Sequence, residues 1–460
     1  MCVPLVVLRP GAGRHEDDEL AEARRQRASV AEVIAHRARP AEHFRASQQR
    51  HERPADLGRS RRPEFFDRLL LRLGQLVGGN RRHAVLRERR RGGADQDGNG
   101  ACDRRAHGVL SGIGILYCVP SVGNPIKLAL IGFGYWGPNY ARVLNDLPGV
   151  ELTVVCDGSV ERLALVRERY RLVATCSRID DLWHRDDVDG VVIATPASTH
   201  EAIVRAALER ERHVLVEKPM ALTVGGCDAL CRLAASAKRL LMVGYTFLYN
   251  AGVLKMKQYM APEQFGQVYY LHATRTNLGP IRHDVNAVWD LAPHDIAIFN
   301  YLLDEQPLWA SAIGARVLRT ARDDIAFATL GYSNEVVGNI HVSWADPNKV
   351  REVVAVGSRR RLVFNDLNDA ERVRVFERGV SVGEAMADSY GEFKLLVRDG
   401  DIISPKVEPS EPLKNQCQEF VDAIAAGRTP VASGEFGLAV VRTLAAIQAS
   451  MSARGAVVDV

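Results

Sequence analysis

The chain has 460 residues, 47% of them hydrophobic and 25% charged, a length for two or three domains and the composition of an ordinary globular protein. It holds no apolar run of the ~18 residues a membrane span needs, and its short apolar N-terminal stretch is badly flanked for a signal peptide. The formal charge of +4 conceals two kinds of sequence: residues 1–124 contain 23 arginines, no lysine and 15 acidic residues, a net +8, whereas the remainder carries −4.

Residues 1–122 read as an arginine-rich extension, either disordered or translated from upstream of the true start. Charge runs such as Arg87 to Arg91 and the stretch from Gly92 to Gly100 offer little to bury. No Met occurs between Met1 and Met220, so Val122 is a candidate non-ATG start. A nucleic-acid-binding arm is disfavoured, because the arginines are interleaved with acids and few aromatics are present for stacking.

From Pro125 the pattern changes. Lys127 to Ile131 is a buried-strand run, followed by glycines and an amphipathic stretch from Asn139 to Leu147. Glu151–Cys156, Val188–Ala194, His213–Glu217 and Leu240–Gly244 read as further strands, separated by helices over Val160–Tyr170, Thr199–Glu209 and Asp228–Ala237. Alternating strands and helices predict an α/β domain with a parallel sheet over residues 123–244. Beyond it, strands over 268–274, 310–318, 325–332, 335–343, 350–357 and 361–364, with a main helix over 288–303, predict an α+β domain over 245–460. Its sheet is expected to be large, open and mostly antiparallel, with helices on one face. Helices over 415–426 and 435–449 close the chain.

Four constellations carry chemistry. Gly132-Phe133-Gly134-Tyr135-Trp136-Gly137 lies between a strand and a helix. Gly132 permits the tight turn, Gly134 a close backbone approach to a pyrophosphate, and Gly137 close helix–strand packing. Asp157 follows the next strand, 20 residues after Gly137, where a carboxylate bonds the hydroxyls of an adenosine ribose. This favours NAD, with Arg162 leaving NADP as the alternative. In the second, Ala194-Thr195-Pro196-Ala197-Ser198-Thr199-His200, Thr195, Pro196 and His200 are candidate cofactor contacts, and Ser198 or Thr199 a helix cap. The third is Glu217-Lys218-Pro219, a lysine held at a sheet edge before a proline that admits a cis bond. In the fourth, Trp289 to Asp295, Asp290 and His294 share one helical face, so the carboxylate can orient the ring. Pro293 fits a first helical turn better than an interior.

Taken in order, GFGYWG, ATPASTH, EKPM and DLAPH resemble the motifs of the glucose-fructose oxidoreductase / inositol dehydrogenase / MocA (Gfo/Idh/MocA) family, over roughly Pro125 to the C-terminus. The resemblance implies an NAD-dependent oxidoreductase acting on CH–OH groups. It makes Lys218 a contact to substrate and nicotinamide ribose, His294 the acceptor of the hydroxyl proton, and Asp290 the group that positions substrate or ring. Glu217 joins the cofactor contacts. The segment from Arg275 to Asn286 looks like the nucleotide-sugar 3-dehydrogenase branch, which implies UDP-N-acetylhexosamine or its uronate as substrate. Arg275 and Arg282 would then face its anionic groups and Asn286 a sugar hydroxyl. Inositol or aldose oxidation, a redox glycosidase of the same fold and a non-catalytic NAD-binding sensor are the alternatives. A cytoplasmic homodimer or homotetramer is expected, with no nucleic-acid or membrane partner. The eight cysteines include no CxxC pair, which suits reduced thiols. Cys227 and Cys231, four apart, have no second pair nearby, so no metal site is expected.

Overall fold

The computed structural model describes residues 124–279, 281–282, 284–318, 321–382 and 395–460. The arginine-rich extension expected over 1–122 lies outside the described residues, as does residue 123. No helix among the described residues is long and apolar enough to cross a membrane.

The first half alternates strand and helix: β1 (Ile126–Ile131), α1 (Gly137–Asp146), β2 (Val150–Cys156), α2 (Val160–Arg169), β3 (Ala174–Cys176), α3 (Ile179–Trp183), β4 (Gly190–Ile193), α4 (Ala197–Leu208), β5 (His213–Val216), α5 (Val224–Ala237) and β6 (Leu241–Val243). The six strands form one parallel sheet in the order β3-β2-β1-β4-β5-β6. Strands covered on both faces read as unbroken apolar runs, and all four residues of β4 are buried. The order reverses at β1/β4, the switch point beside which such sheets bind ligands.

Two short elements, β3 and α3, escape periodicity because they span three and five residues. The helix after β4 starts at Ala197, with Pro196 at its cap position and no side-chain cap. The expected cap at Ser198 or Thr199 is therefore corrected. Thr199 sits in the first turn, where its hydroxyl donates to the Pro196 carbonyl at 2.8 Å.

The second half contains a 3-10 turn (Thr246–Tyr249), α6 (Ala251–Tyr259), α7 (Pro262–Phe265), β7 (Val268–Thr276), α8 (Ala287–Leu303), β8 (Trp309–Ala315), β9 (Ile325–Gly331), β10 (Val337–Ser343), β11 (Val350–Gly357), β12 (Arg361–Asn365) and β13 (Val373–Phe376). After these come β14 (Gly379–Val382), β15 (Leu395–Arg398), β16 (Ile402–Ile403), α9 (Pro412–Ala426), α10 (Gly434–Ser452) and β17 (Val458–Asp459). Nine of these strands form a sheet in the order β16-β13-β12-β11-β7-β10-β9-β8-β17, antiparallel except between β7 and β10. This is the α/β fold with a large, mostly antiparallel second sheet.

Two strands end earlier than the hydrophobic pattern suggests. β8 stops at Ala315 because the amides of Val317 and Leu318 turn to the Asp324 carboxylate, each at 2.8 Å. β10 begins at Val337, since Asn334 and Glu335 adopt positive φ in a 3-10 turn.

One continuous hydrophobic cluster runs through both halves. α10 packs on α5 and β6 on one side and on α8 and β8 on the other. The Val243 amide donates to the Ala432 carbonyl at 2.8 Å. The two sheets are thus held against each other by the closing helices. No described element covers the opposite face of the large sheet, where Ile313, Phe327 and His341 are register neighbours across β8, β9 and β10. Phe327 and His341 stack there, and Tyr270 and Val337 share that face.

Candidate active site

The carboxyl edge of the parallel sheet is stitched into a row by backbone bonds. The Gly132 amide donates to Cys156, Ala194 to Ile131, Glu217 to Ile193 and Gly244 to Val216, all at 2.7–2.9 Å. This places the glycine loop, Asp157, Thr195 and Lys218 along one edge.

Gly132 has a φ of +95°, and a Cβ there would lie 2.7 Å from the Ala194 carbonyl oxygen. At Gly137 a Cβ would come within 2.4 Å of the Gly132 oxygen, so the loop closes only on glycine. Gly134 is different. A Cβ there would meet nothing closer than an Arg162 guanidinium nitrogen at 3.8 Å, which leaves its backbone open to a ligand. No side chain caps α1, and with Pro138 lacking an amide and the Asn139 amide turned to the Trp136 carbonyl, the Gly137 amide and the helix dipole are what this end offers an anion. Phe133 is buried, whereas Tyr135 and Trp136 are exposed and meet edge to face. These features fit a dinucleotide pyrophosphate. Asp157 is buried and braces the loop: it accepts the Phe133 amide at 2.6 Å and the Ser159 amide at 2.8 Å, with Arg162 at 3.5 Å.

Three expected cofactor contacts are committed inside the protein or to the loop. His200 is buried, its Nδ1 2.7 Å from the Pro219 carbonyl and its Nε2 2.9 Å from the Thr195 carbonyl. Burial lowers its pKa against those two bonds. The ring therefore ties the second motif to the third instead of reaching the cofactor. Glu217 likewise points inward. Its Oε1 accepts the Tyr140 hydroxyl at 2.7 Å, and Gln416 and Thr246 extend the network. Burial raises the Glu217 pKa, while Tyr140 and Lys218 oppose the shift. Thr195 lies against the glycine loop, its Cγ2 2.9 Å from where a Gly132 Cβ would be, and Pro196 is exposed at the cap of α4.

The third and fourth motifs meet in space. The Lys218–Pro219 bond is cis, and the Lys218 ammonium donates to the Asp290 carbonyl at 2.6 Å, with the Asp290 carboxylate at 3.4 Å. Both side chains are mostly out of solvent, at 11% and 19% exposure. Pro293 sits inside α8, not in its first turn as expected. It removes from the helix ladder the amide that would bond the Trp289 carbonyl, one residue before the Asp290 carbonyl that takes the lysine.

His294, one turn on, packs against Phe247 with ring centroids 5.0 Å apart. Its Nδ1 is buried without a hydrogen-bond partner. Burial, reinforced by the cations Lys218, Arg275 and Arg351, holds the His294 pKa well below the ordinary imidazole value, so the ring is neutral. Trp344, which sequence reasoning missed, donates its indole N–H to Asp290 Oδ2 at 3.3 Å. It is fully buried. Its position after β10 gave no sequence signal, since a core tryptophan and a site tryptophan look alike.

Of the three expected substrate contacts, the structure brings one to this cluster. Arg282 Nη1 reaches Asp290 Oδ1 at 3.4 Å, while its other nitrogens hold Asp284 at 2.9 and 2.6 Å. Arg275 is buried and grips Asp295 with two bonds of 2.9 and 2.7 Å, stacked 4.3 Å above Phe247. Asn286 caps α8, accepting the Trp289 amide at 3.1 Å and donating to Gln448 at 2.7 Å. Arg275 and Asn286, expected as substrate contacts, are not brought to this cluster: Arg275 Nε and Nη2 are committed to Asp295, and Asn286 to Trp289 and Gln448.

The family model described as an oxidoreductase family with an NAD-binding Rossmann fold matches residues 126–245, and the Gfo/Idh/MocA C-terminal domain matches residues 253–363. The chain belongs to the Gfo/Idh/MocA family. It is an NAD-dependent oxidoreductase. UDP-N-acetylglucosamine 3-dehydrogenase of Acidithiobacillus ferrooxidans is 27% identical over 331 residues, 71% of this chain and 98% of that one. The solved structure of UDP-N-acetylglucosamine 3-dehydrogenase GnnA from Acidithiobacillus ferrooxidans superposes with a TM-score of 0.59 at 25% identity, covering 71% of this chain and 98% of that one. Inositol 2-dehydrogenase/D-chiro-inositol 3-dehydrogenase of Shouchella clausii is 31% identical over 186 residues, 39% of this chain and 54% of that protein.

Proposed function

We propose that this family member oxidises a secondary hydroxyl of a sugar or nucleotide sugar, with UDP-N-acetylhexosamine or its uronate, at C3, as the first substrate to test. The observation that carries the reading is the cluster of Lys218, Asp290 and Arg282 beside a neutral His294 with an unpaired buried nitrogen. A buried polar atom without a partner is satisfied when a ligand supplies one. A neutral imidazole can take a hydroxyl proton, whereas an imidazolium cannot. Lys218 has three N–H bonds. Two point at Asp290, which leaves the third for a substrate oxygen. Asp290 keeps the ammonium in place, and Trp344 and Arg282 fix its carboxylate. NAD, held by the glycine loop with Asp157 beneath it, supplies the hydride acceptor.

The similarity to UDP-N-acetylglucosamine 3-dehydrogenase over nearly that protein's whole length supports a nucleotide sugar. The match to the inositol dehydrogenase covers only 54% of that protein and makes inositols and aldoses the second choice. The exposed Ile313, Phe327 and Tyr270 on the open face of the large sheet support a homo-oligomer. An NADH-production screen over UDP-sugars, inositols and free or phosphorylated aldoses tests the substrate. Lys218→Ala and His294→Ala should each abolish turnover while the dissociation constant for NAD stays within a few-fold. Substantial remaining turnover in either would remove these residues from the site.

A further inference from the structure

Cys156 and Cys176 are direct register partners on the parallel strands β2 and β3. Neighbouring strands lie roughly 4.8 Å apart, inside the ~4.4–6.8 Å range of Cα separations that a disulfide spans. Register partners project to one face of a sheet, and residues two apart on a strand share it. Val154, Ala174 and Cys176 line a cleft of about 420 Å³ beside α2, so Cys156 lies on that face as well. Cys156 is buried and Cys176 partly exposed.

The surroundings distinguish the two thiols. Arg167 and Arg185 also line the cleft, and the Arg185 Nε is buried without a hydrogen-bond partner. Hydrogen bonding from Cys156 lowers the Cys176 pKa, helped by Arg185 and opposed by burial and Asp181. The Cys156 thiol is pushed up by its bond to Cys176 and by burial. Elsewhere burial pushes Cys227 and Cys231 up to about 12 and raises Cys417. Cys176, partly exposed in the cleft beside Arg167 and Arg185, is placed as the thiolate that meets a peroxide, and the buried Cys156 as the thiol that resolves it.

The pair sits directly under the cofactor edge. Asp157 follows Cys156 in the chain, and its amide donates to the Cys176 carbonyl at 3.2 Å.

We propose that Cys176 and Cys156 form a peroxide-sensitive dithiol whose oxidation weakens NAD binding. The Cys176 thiolate attacks hydrogen peroxide, forming an S–O bond as the O–O bond breaks, and with one proton taken up this gives a sulfenic acid and water. The Cys156 sulfur then displaces that hydroxyl as a second water, leaving the disulfide. Two thiols are oxidised, and one hydrogen peroxide is reduced to two waters. Forming the S–S bond forces both side chains into the disulfide's own dihedral geometry at the end of β2, and the resulting adjustment reaches Asp157, the next residue, and its bond to the Phe133 amide. The consequence for NAD rests on the reading of Asp157 as the adenosine-ribose carboxylate, whereas disulfide formation does not.

The test treats the full chain with hydrogen peroxide and measures intact mass, linked peptides and the NAD dissociation constant. The wild type should lose the mass of two hydrogens, yield a Cys156–Cys176 linked peptide and bind NAD several-fold more weakly, all reversed by dithiothreitol. Cys176→Ser should resist oxidation at this pair and keep its NAD affinity. Cys156→Ser should stop at a dimedone-reactive sulfenic acid. Absence of the linked peptide overturns the dithiol. Its formation with unchanged NAD affinity overturns the coupling to Asp157. Equal loss of NAD affinity in wild type and Cys176→Ser overturns the assignment of the site. Cys176→Ala provides the same comparison if the serine variant fails to fold.

Discussion

Arg275 offers a sharp test of what the tertiary structure adds, because a basic residue ahead of the active-site helix invites a substrate-binding role. In the structure its side chain is 6% exposed, and that of its partner Asp295 is 1% exposed. Two bonds of 2.9 and 2.7 Å join them. Removing either partner leaves an uncompensated charge in the interior, at a cost of about 3–5 kcal/mol. Arg275→Met and Asp295→Leu should each lower stability by that amount, roughly two orders of magnitude or more in the folding equilibrium. The double variant, which buries no lone charge, should lose much less. The double-mutant cycle would therefore show a coupling of about 3 kcal/mol or more. Urea unfolding followed by far-UV circular dichroism and tryptophan fluorescence measures all four proteins under one protocol. A substrate-binding arginine predicts the opposite pattern: an unchanged urea midpoint in Arg275→Met and a raised substrate KM. That pattern would refute the framework role.

Three further outcomes follow from the site. Gly137→Ala places a Cβ 2.4 Å from the Gly132 oxygen, so NAD affinity should fall at least about tenfold because the loop must open; fluorescence titration showing wild-type affinity would contradict the close packing. The depressed His294 pKa keeps the ring neutral at pH values below the unfolded value of roughly 6.5, so the acid limb of kcat/KM that His294 governs should lie below that pH. The unfolded chain takes up the proton first, so this group's effect on stability is absent above roughly pH 6.5 and becomes a loss as pH falls towards the folded pKa; removal of that loss in His294→Gln would identify its source. Trp344→Phe removes the indole donor to Asp290 and should lower kcat about tenfold, the worth of a hydrogen bond to a charged group, with the KM for NAD unchanged. A wild-type kcat would reduce Trp344 to a packing residue.

Local sequence was sufficient where the physics is local. A buried strand, glycines at the turn and a helix start are all encoded within a dozen residues of Gly132, and Asp157 ends the next strand at a spacing the βαβ unit imposes. The motifs containing Lys218, Asp290 and His294 are likewise visible as short patterns. Which polar groups remain free is a different matter, because it depends on partners far along the chain. His200 meets carbonyls on two loops, and Glu217 joins Tyr140 and Gln416. Arg275 is neutralised from α8, and Trp344 arrives at Asp290 from the end of β10. Short-range patterns thus carry the dinucleotide loop, the order of strands and helices and the residue types available for oxidation. Long-range packing brings Lys218, Asp290, Arg282 and Trp344 together and commits Arg275, Asn286, Glu217 and His200 to bonds within the fold. Burial requires every polar group to find a partner, and in this chain those partners lie up to 276 residues away.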